Sequence, residues 1–260
     1  MDQKEARLWL IERLKKDSPA YSKIPVPADE QGQKDLLRIL MNVRMPRPIG
    51  SEFREVQDAY LRREAMLKGI VDADRLEPCA SDSRLCLWQG DITRLKADAI
   101  VNAANSGMTG CYTPLHNCID NCIHTAAGID LRWECYMIMQ KQGYDEPTGQ
   151  AKITGGYCLP AKHVLHTVGP IVGGSLTDQH IDLLKSCYVS CLDLAAENGL
   201  ESVAFCCIST GVFSFPADKA AQIAVSAVKE WLDSHDSSIS RVIFNVFGDR
   251  DRAIYEEILG

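Results

Sequence analysis

The stretch Cys111-Tyr112-Thr113-Pro114-Leu115-His116-Asn117-Cys118 sets two thiols and an imidazole within eight positions. Thiolate sulfur and imidazole nitrogen are borderline-soft donors that suit zinc. Three protein ligands leave the fourth corner of a tetrahedral ion open to water or substrate, the pattern of catalysis, whereas a closed set of four is the pattern of structure. The same residues also read as loop thiols with a chance histidine neighbour, and spacing alone does not choose. Cys122 and His124 compete as ligands, since Cys118 and Cys122 lie one helical turn apart.

Two further segments suit a phosphorylated sugar. Ile208-Ser209-Thr210-Gly211-Val212-Phe213-Ser214-Phe215-Pro216 leaves an apolar strand and enters a helix opened by Pro216. Oriented backbone amides at such a turn hold an anion without formal positive charge. Alone this is also an ordinary strand-to-helix turn, for neither the Walker pattern nor the dinucleotide glycine fingerprint is present. The second segment is Gly90-Asp91-Ile92-Thr93, followed by the strand and turn Ala99-Ile100-Val101-Asn102-Ala103-Ala104-Asn105. Its asparagines offer neutral donors and acceptors to ribose hydroxyls, and Asp91 can accept from an adenine amino group. Capping and turn roles explain each of these residues singly.

These residues need a scaffold. Short apolar runs at Leu85–Gln89, Ala99–Asn102, Ala151–Thr154, His163–Val168, Ser202–Ile208 and Arg241–Val246 read as mostly buried strands. Helical patterns alternate with them, most clearly over Asp178–Asn198 with Gly199 as a stop, and again from Pro216 to Trp231. Before residue 80 the texture differs: Glu5–Lys15, Lys34–Val43 and Glu52–Ile70 are amphipathic stretches split by prolines. A polar linker, Asp72–Arg84, joins them to the rest. The reading is an N-terminal helical extension over 1–80 and an α/β domain over 81–260.

The chain has 260 residues, is 46% hydrophobic and carries a net charge of −7. It holds ample material for a core, and it lacks the field of Lys and Arg that nonspecific nucleic-acid binding needs. No apolar run is long enough for a membrane span and no signal-peptide pattern opens the chain, so a soluble cytoplasmic protein is expected. The eleven cysteines then read as reduced thiols, most of them small core residues.

The segments Gly90-Asp91-Ile92-Thr93, Val101-Asn102-Ala103-Ala104-Asn105, Ile119-Asp120-Asn121-Cys122-Ile123-His124, His166-Thr167-Val168-Gly169-Pro170 and Ser209-Thr210-Gly211-Val212-Phe213 together resemble the macrodomain family over about residues 85–259. The resemblance implies a three-layer α/β/α fold with a mixed central sheet that binds ADP-ribose. It implies that Asp91 and Ile92 contact adenine, that Asn102 and Asn105 approach the distal ribose, and that Ser209, Thr210, Gly211, Val212 and Phe213 wrap the phosphates. Phe247 either stacks near the adenine or fills the end of a core strand; His166 reads as structural.

In the hydrolase branch of the family a glycine-rich loop normally follows the asparagine pair, and this chain carries the Cys111–Cys118 stretch there instead. That stretch and the helical extension resemble zinc-containing macrodomains of some microbes, which implies Cys111, His116 and Cys118 as ligands of Zn2+, with Cys122 and His124 left to the following helix. The implied activity is hydrolysis of mono-ADP-ribose from modified proteins, with acidic side chains as the expected attachment site. Zinc would then lower the pKa of a bound water to about 7 or hold a ribose hydroxyl. Asp120 orients water, acts as base or caps its helix, while Asn105 positions the ribose, since an amide has no useful acid or base near neutral pH. Sirtuin-type ADP-ribosyltransferases and lipoyl-carrier proteins are partners implied by the same resemblance. A non-catalytic reader, a structural zinc module and a hydrolase of free O-acyl-ADP-ribose remain the alternatives.

Overall fold

The computed structural model describes all residues, 1–260. Three helices come first: α1 (Gln3–Asp17), α2 (Glu30–Val43) and α3 (Ser51–Lys68). The Asp2 carboxylate accepts from the Glu5 amide at 2.8 Å and the Glu5 carboxylate accepts from the Asp2 amide at 2.8 Å, closing a capping box on α1. Asp29 caps α2, and α3 stops at Gly69, whose φ is +84°. Their shared stripe buries Leu10, Ile11, Leu14, Leu36 and Leu40 in a small core that also takes Ile129 from outside the extension.

The stretch expected to be a linker is tied down instead. Strand β1 (Val71–Asp72) pairs in parallel with β4 (Leu95–Lys96), and β2 (Pro78–Cys79) pairs antiparallel with β3 (Asp82–Gln89). Arg241 also donates to the Leu76 carbonyl at 2.9 Å. Polar composition there reflects edge pairing rather than freedom.

The remaining strands are β5 (Ala99–Ala103), β6 (Ala151–Gly155), β7 (His163–Thr167), β8 (Ser202–Phe205) and β9 (Arg241–Val246). They form one seven-stranded sheet in the order β2-β3-β9-β8-β5-β7-β6. The five inner strands run parallel and both edges are antiparallel. Strands buried on both faces explain the unbroken apolar runs in the sequence. Helices α4 (Ile119–Ala127) and α5 (Ile129–Gln142) cover one face, and α6 (Asp178–Glu197), α7 (Ala217–Ser234) and α8 (Asp249–Leu259) the other. On β7, His166 faces Cys135 of α5, while the next residues meet Cys187 of α6. A core of 46 residues fills both interfaces; at roughly 1.5–3 kcal/mol for each large apolar side chain it makes a rigid platform. No helix is long and apolar enough to cross a membrane.

Candidate functional site

The cleft opens beyond the ends of β3, β5, β8 and β9. Parallel register sets Asn102 of β5 beside His166 of β7, so both side chains leave the same face, toward α4 and α5. The Asn102 amide nitrogen lies 2.8 Å from Asp120 Oδ1 and 3.1 Å from His166 Nδ1. An amide nitrogen only donates, so His166 Nδ1 accepts, and the proton of the neutral ring sits on Nε2, which donates to Thr154 Oγ1 at 2.9 Å. Asn102 is 0% exposed. It stands behind the cleft wall and holds Asp120, rather than reaching the ribose as expected. His166 is the structural residue it was read to be, though its partner is a residue of the site.

Asp120 is buried in the first turn of α4 and also lines the cleft. It does not cap its helix; the Cys118 sulfur does, accepting from the Asn121 amide at 3.4 Å. Asp120 Oδ2 accepts from the Asn105 amide at 3.1 Å, and Asn105 also donates to the Gly110 carbonyl at 3.2 Å. Burial pushes the Asp120 carboxyl up to about 6, against the opposing hydrogen bonds of Asn102 and Asn105 and the charge of Arg132. Beneath it His124 lies 3.5 Å from Asp120 Oδ1. Burial holds the His124 ring well below its ordinary pKa and brings His166 down to about 3, so both are neutral.

Cys111, His116 and Cys118 meet at the cleft wall with their ligand atoms all within 4.8 Å of one another. Cys111 Sγ is 3.6 Å from His116 Nδ1. Burial pushes the Cys118 thiol up to about 12, and the neighbouring Cys111 adds to it. Of the two competing ligands, Cys122 turns to Arg38, which lies 3.8 Å from its sulfur. His124 is sealed under Gly110: that residue's φ is +84°, and a Cβ there would lie 2.8 Å from the imidazole. Three residues absent from the sequence reading hold the loop: Arg38 and Asn42 of α2 and Arg132 of α5.

On the other side of the cleft the Ser209–Pro216 turn forms between β8 and α7. Ser209 and Ser214 take φ of 64° and 56°, and the Phe215 amide closes onto the Ser209 carbonyl at 3.0 Å. The successive amides of Gly211, Val212 and Phe213 make no hydrogen bond within the chain, and Thr210 bonds back to the Cys207 carbonyl at 3.1 Å. Such a run of outward amides is an anion cradle. Asp91 gives Oδ1 to the Thr93 amide and hydroxyl at 3.0 and 2.6 Å, leaving Oδ2 toward Lys68 at 3.8 Å. The Ile92 side chain is buried in the core, so only its backbone faces the cleft. Phe247 is 77% exposed at the cleft rim, which rules out the strand-filling role.

This sheet order, the asparagine that anchors an acidic residue and the run of free amides across the cleft from it define an α/β protein with one deep cleft at the ends of its parallel strands. A family model described as "Macro domain" matches residues 101–224. The chain is 54% identical over 261 residues to a Treponema medium protein named protein-ADP-ribose hydrolase, covering 100% of both chains. A Staphylococcus aureus protein of the same name is 46% identical over 97% of this chain and 95% of its own length. Among solved structures, a Trypanosoma brucei macrodomain in complex with ADP-ribose superposes with a TM-score of 0.67 at 32% identity, over 86% of this chain and 95% of that one. The chain belongs to the macrodomain family.

Proposed function

We propose that this chain is a zinc-dependent hydrolase that releases mono-ADP-ribose from modified proteins, with the attachment at acidic side chains. It is an enzyme of the kind its full-length relatives are named for. The observation that carries the zinc reading is the meeting of Cys111, His116 and Cys118 at the wall of the cleft that also holds Asp120 and the amide cradle.

The donors fit the ion. Zn–S near 2.3 Å and Zn–N near 2.0–2.1 Å in a tetrahedron space sulfur and nitrogen by about 3.5 Å, against 3.6 Å between Cys111 Sγ and His116 Nδ1. Zinc at this triad supplies Lewis acidity to a water or a ribose hydroxyl beside the scissile bond.

The chain's own groups do the rest. The amides of Gly211, Val212 and Phe213, with Ser209 and Thr210, cradle the diphosphate; Asp91 Oδ2 accepts from the adenine amino group, and the Ile92 backbone lies beside it. Asn105 positions the distal ribose. Asp120, near neutrality in its pKa, orients the attacking water or takes its proton, and Asn102 holds that carboxylate in place. A sirtuin-type ADP-ribosyltransferase that writes the mark and a lipoyl-carrier protein that bears it are the partners this reading names, on the support of the sequence resemblance alone. Eleven free thiols suit a reducing cytoplasm.

The test is to incubate the purified chain with an auto-modified, mono-ADP-ribosylated protein and follow bound zinc and released ADP-ribose together, comparing wild type with Cys118→Ala. The expected result is about one zinc and steady release for wild type, with both lost in the variant. ADP-ribose binding without release from any linkage tested would make the chain a reader.

A further inference from the structure

The metal loop makes few bonds within itself: His116 N donates to the Thr113 carbonyl at 3.2 Å, and Tyr112 donates to Thr109 at 3.1 Å. Its shape is imposed from outside, by α2 of the N-terminal helices together with α4 and α5. Arg38 of α2 donates through Nη2 to the carbonyl of His116 at 2.7 Å and to Asn121 Oδ1 at 3.0 Å. Asn121, fully buried, donates from its side chain to the carbonyls of Thr113 at 3.0 Å and Cys111 at 3.4 Å, and from its backbone to the Cys118 sulfur. One guanidinium thus fixes the backbone of one ligand residue directly and, through Asn121, bears on the other two.

Asn42, one turn further along α2, accepts from the Leu115 amide at 3.1 Å and donates to Thr125 Oγ1 at 3.0 Å. Leu115 has a φ of 56°. A leucine in the left-handed region is strained and persists only where its surroundings hold it. It immediately precedes His116, so the bond from Asn42 sets the direction in which the imidazole leaves the chain.

The contact between α2 and the catalytic domain is itself locked. The buried Arg132 guanidinium donates to the carbonyls of Asn42 at 2.6 Å, Arg44 at 2.7 Å and Met41 at 3.2 Å, at the carbonyl end of α2. Its other face lies over the Tyr112 ring, 4.3 Å from the centroid, and Nη2 reaches the Cys111 carbonyl at 3.5 Å. Arg132 therefore grips the extension and the loop at once.

We propose that Arg38 and Asn42 are positioning residues of the Cys111–His116–Cys118 loop, so that the N-terminal helices set the affinity of the chain for zinc. The inference rests on the zinc reading above. It makes the extension part of the active site, although neither residue is a ligand of the ion.

The test is competition for zinc between a chromogenic chelator and the full chain, for wild type, Cys118→Ala, Arg38→Ala, Arg38→Lys and Asn42→Ala, with ADP-ribose affinity measured calorimetrically on the same samples. Loss of a group that orients a ligand costs 10–100-fold in metal affinity. Arg38→Ala is expected to lose about that much, and Asn42→Ala about tenfold. Arg38→Lys, which keeps one donor for the His116 carbonyl, falls between wild type and Arg38→Ala. ADP-ribose affinity stays within about threefold, a difference under 1 kcal/mol. If Arg38→Ala does not fold, Arg38→Lys and Asn42→Ala carry the test. Wild-type zinc affinity in both alanine variants, or in those two when they carry the test, overturns the proposal. Wild type without zinc, or Cys118→Ala with wild-type affinity, overturns instead the zinc reading beneath it.

Discussion

The two loops that face each other across the cleft are built in opposite ways. The Ser209–Pro216 turn is closed mainly by its own backbone: bonds run from Phe215 to Ser209 and from Ser214 to Gly211, both 3.0 Å, with one bond from outside, the Val172 amide to the Phe213 carbonyl at 2.9 Å, and it rests on the apolar Ile208 and Phe215. What it offers a ligand is backbone. The Cys111–Cys118 loop offers side chains, is braced from α2 and α5, and rests on a buried polar layer of Asp120, Asn102, His124 and His166. An anion is satisfied by amides that any short turn can aim, whereas a ligand triad needs three side chains aimed at one point, and that takes partners from elsewhere in the chain.

The contrast breaks most visibly at Asn102. Asn102→Ala removes the donor to Asp120 and to His166 together, and hydrolysis is expected to fall about 100-fold while ADP-ribose affinity moves less than about fivefold. A KM effect without a kcat effect would put Asn102 on the phosphate side of the comparison. The opposite lesion is Gly169→Ala. Its Cβ would collide with Ser209 Oγ and lie 2.8 Å from Ile208 Cγ2, so the side chains at the start of the cradle must move. ADP-ribose affinity is expected to drop about tenfold, roughly 1.4 kcal/mol, with zinc content unchanged. Loss of zinc in that variant would show that the two loops are not independent.

The polar layer also predicts how stability responds to acid. His124 and His166 stay neutral in the fold, with His166 at about 3, while the unfolded chain protonates both below about 6.5. Asp120 opposes them: its folded carboxyl, near 6, takes up a proton on the way down to 3.8 that the unfolded chain does not yet bind. The unfolded state therefore binds one proton more over about pH 6 to 4. These groups lower stability by about 1.4 kcal/mol for each unit that pH falls in that window. Urea midpoints with a chelator present measure it. His166→Asn, which can keep an acceptor toward Asn102, should flatten this part of the slope, and an unchanged slope would mean that the protons go elsewhere.

The smallest effect is expected at Lys68→Ala, since an exposed pair at 3.8 Å from Asp91 is worth about 0–1 kcal/mol. ADP-ribose affinity should change less than about threefold. A tenfold loss would give the extension a part at the Asp91 end of the cleft as well as at the Cys111–Cys118 loop.

Legibility in the sequence followed the same division. Strand β9 spans the predicted Arg241–Val246, and α6 ends one residue short of the predicted Asn198, because an unbroken apolar run and a long one-sided helical pattern both depend on near neighbours. Strand β8 ends at Phe205 rather than Ile208, as the last three residues turn into the anion cradle. The two-residue strands β1 and β2, at the edge of and within the predicted linker Asp72–Arg84, leave no trace in the sequence, since no periodicity fits in two positions. Helix α5 has no clear helical pattern in the sequence: Asp130 and Arg132 are buried on it beside Leu131 and Cys135, so its buried positions carry no one-sided apolar signal. The roles of Arg38, Asn42 and Arg132 lay beyond reach for a different reason: the bonds between α2 and its partners span 73 to 91 positions, that of Arg132 to Cys111 spans 21, and nothing local marks them.

The grip of Arg132 on the last turn of α2 constrains how such a chain can change over generations. Its side chain is spoken for by three carbonyls that lie 88 to 91 residues earlier. A lineage that shortened the N-terminal helices would strand a buried cation, and one that replaced Arg132 would leave those carbonyls without their donor. The two segments can be inherited or lost together far more readily than either can drift alone.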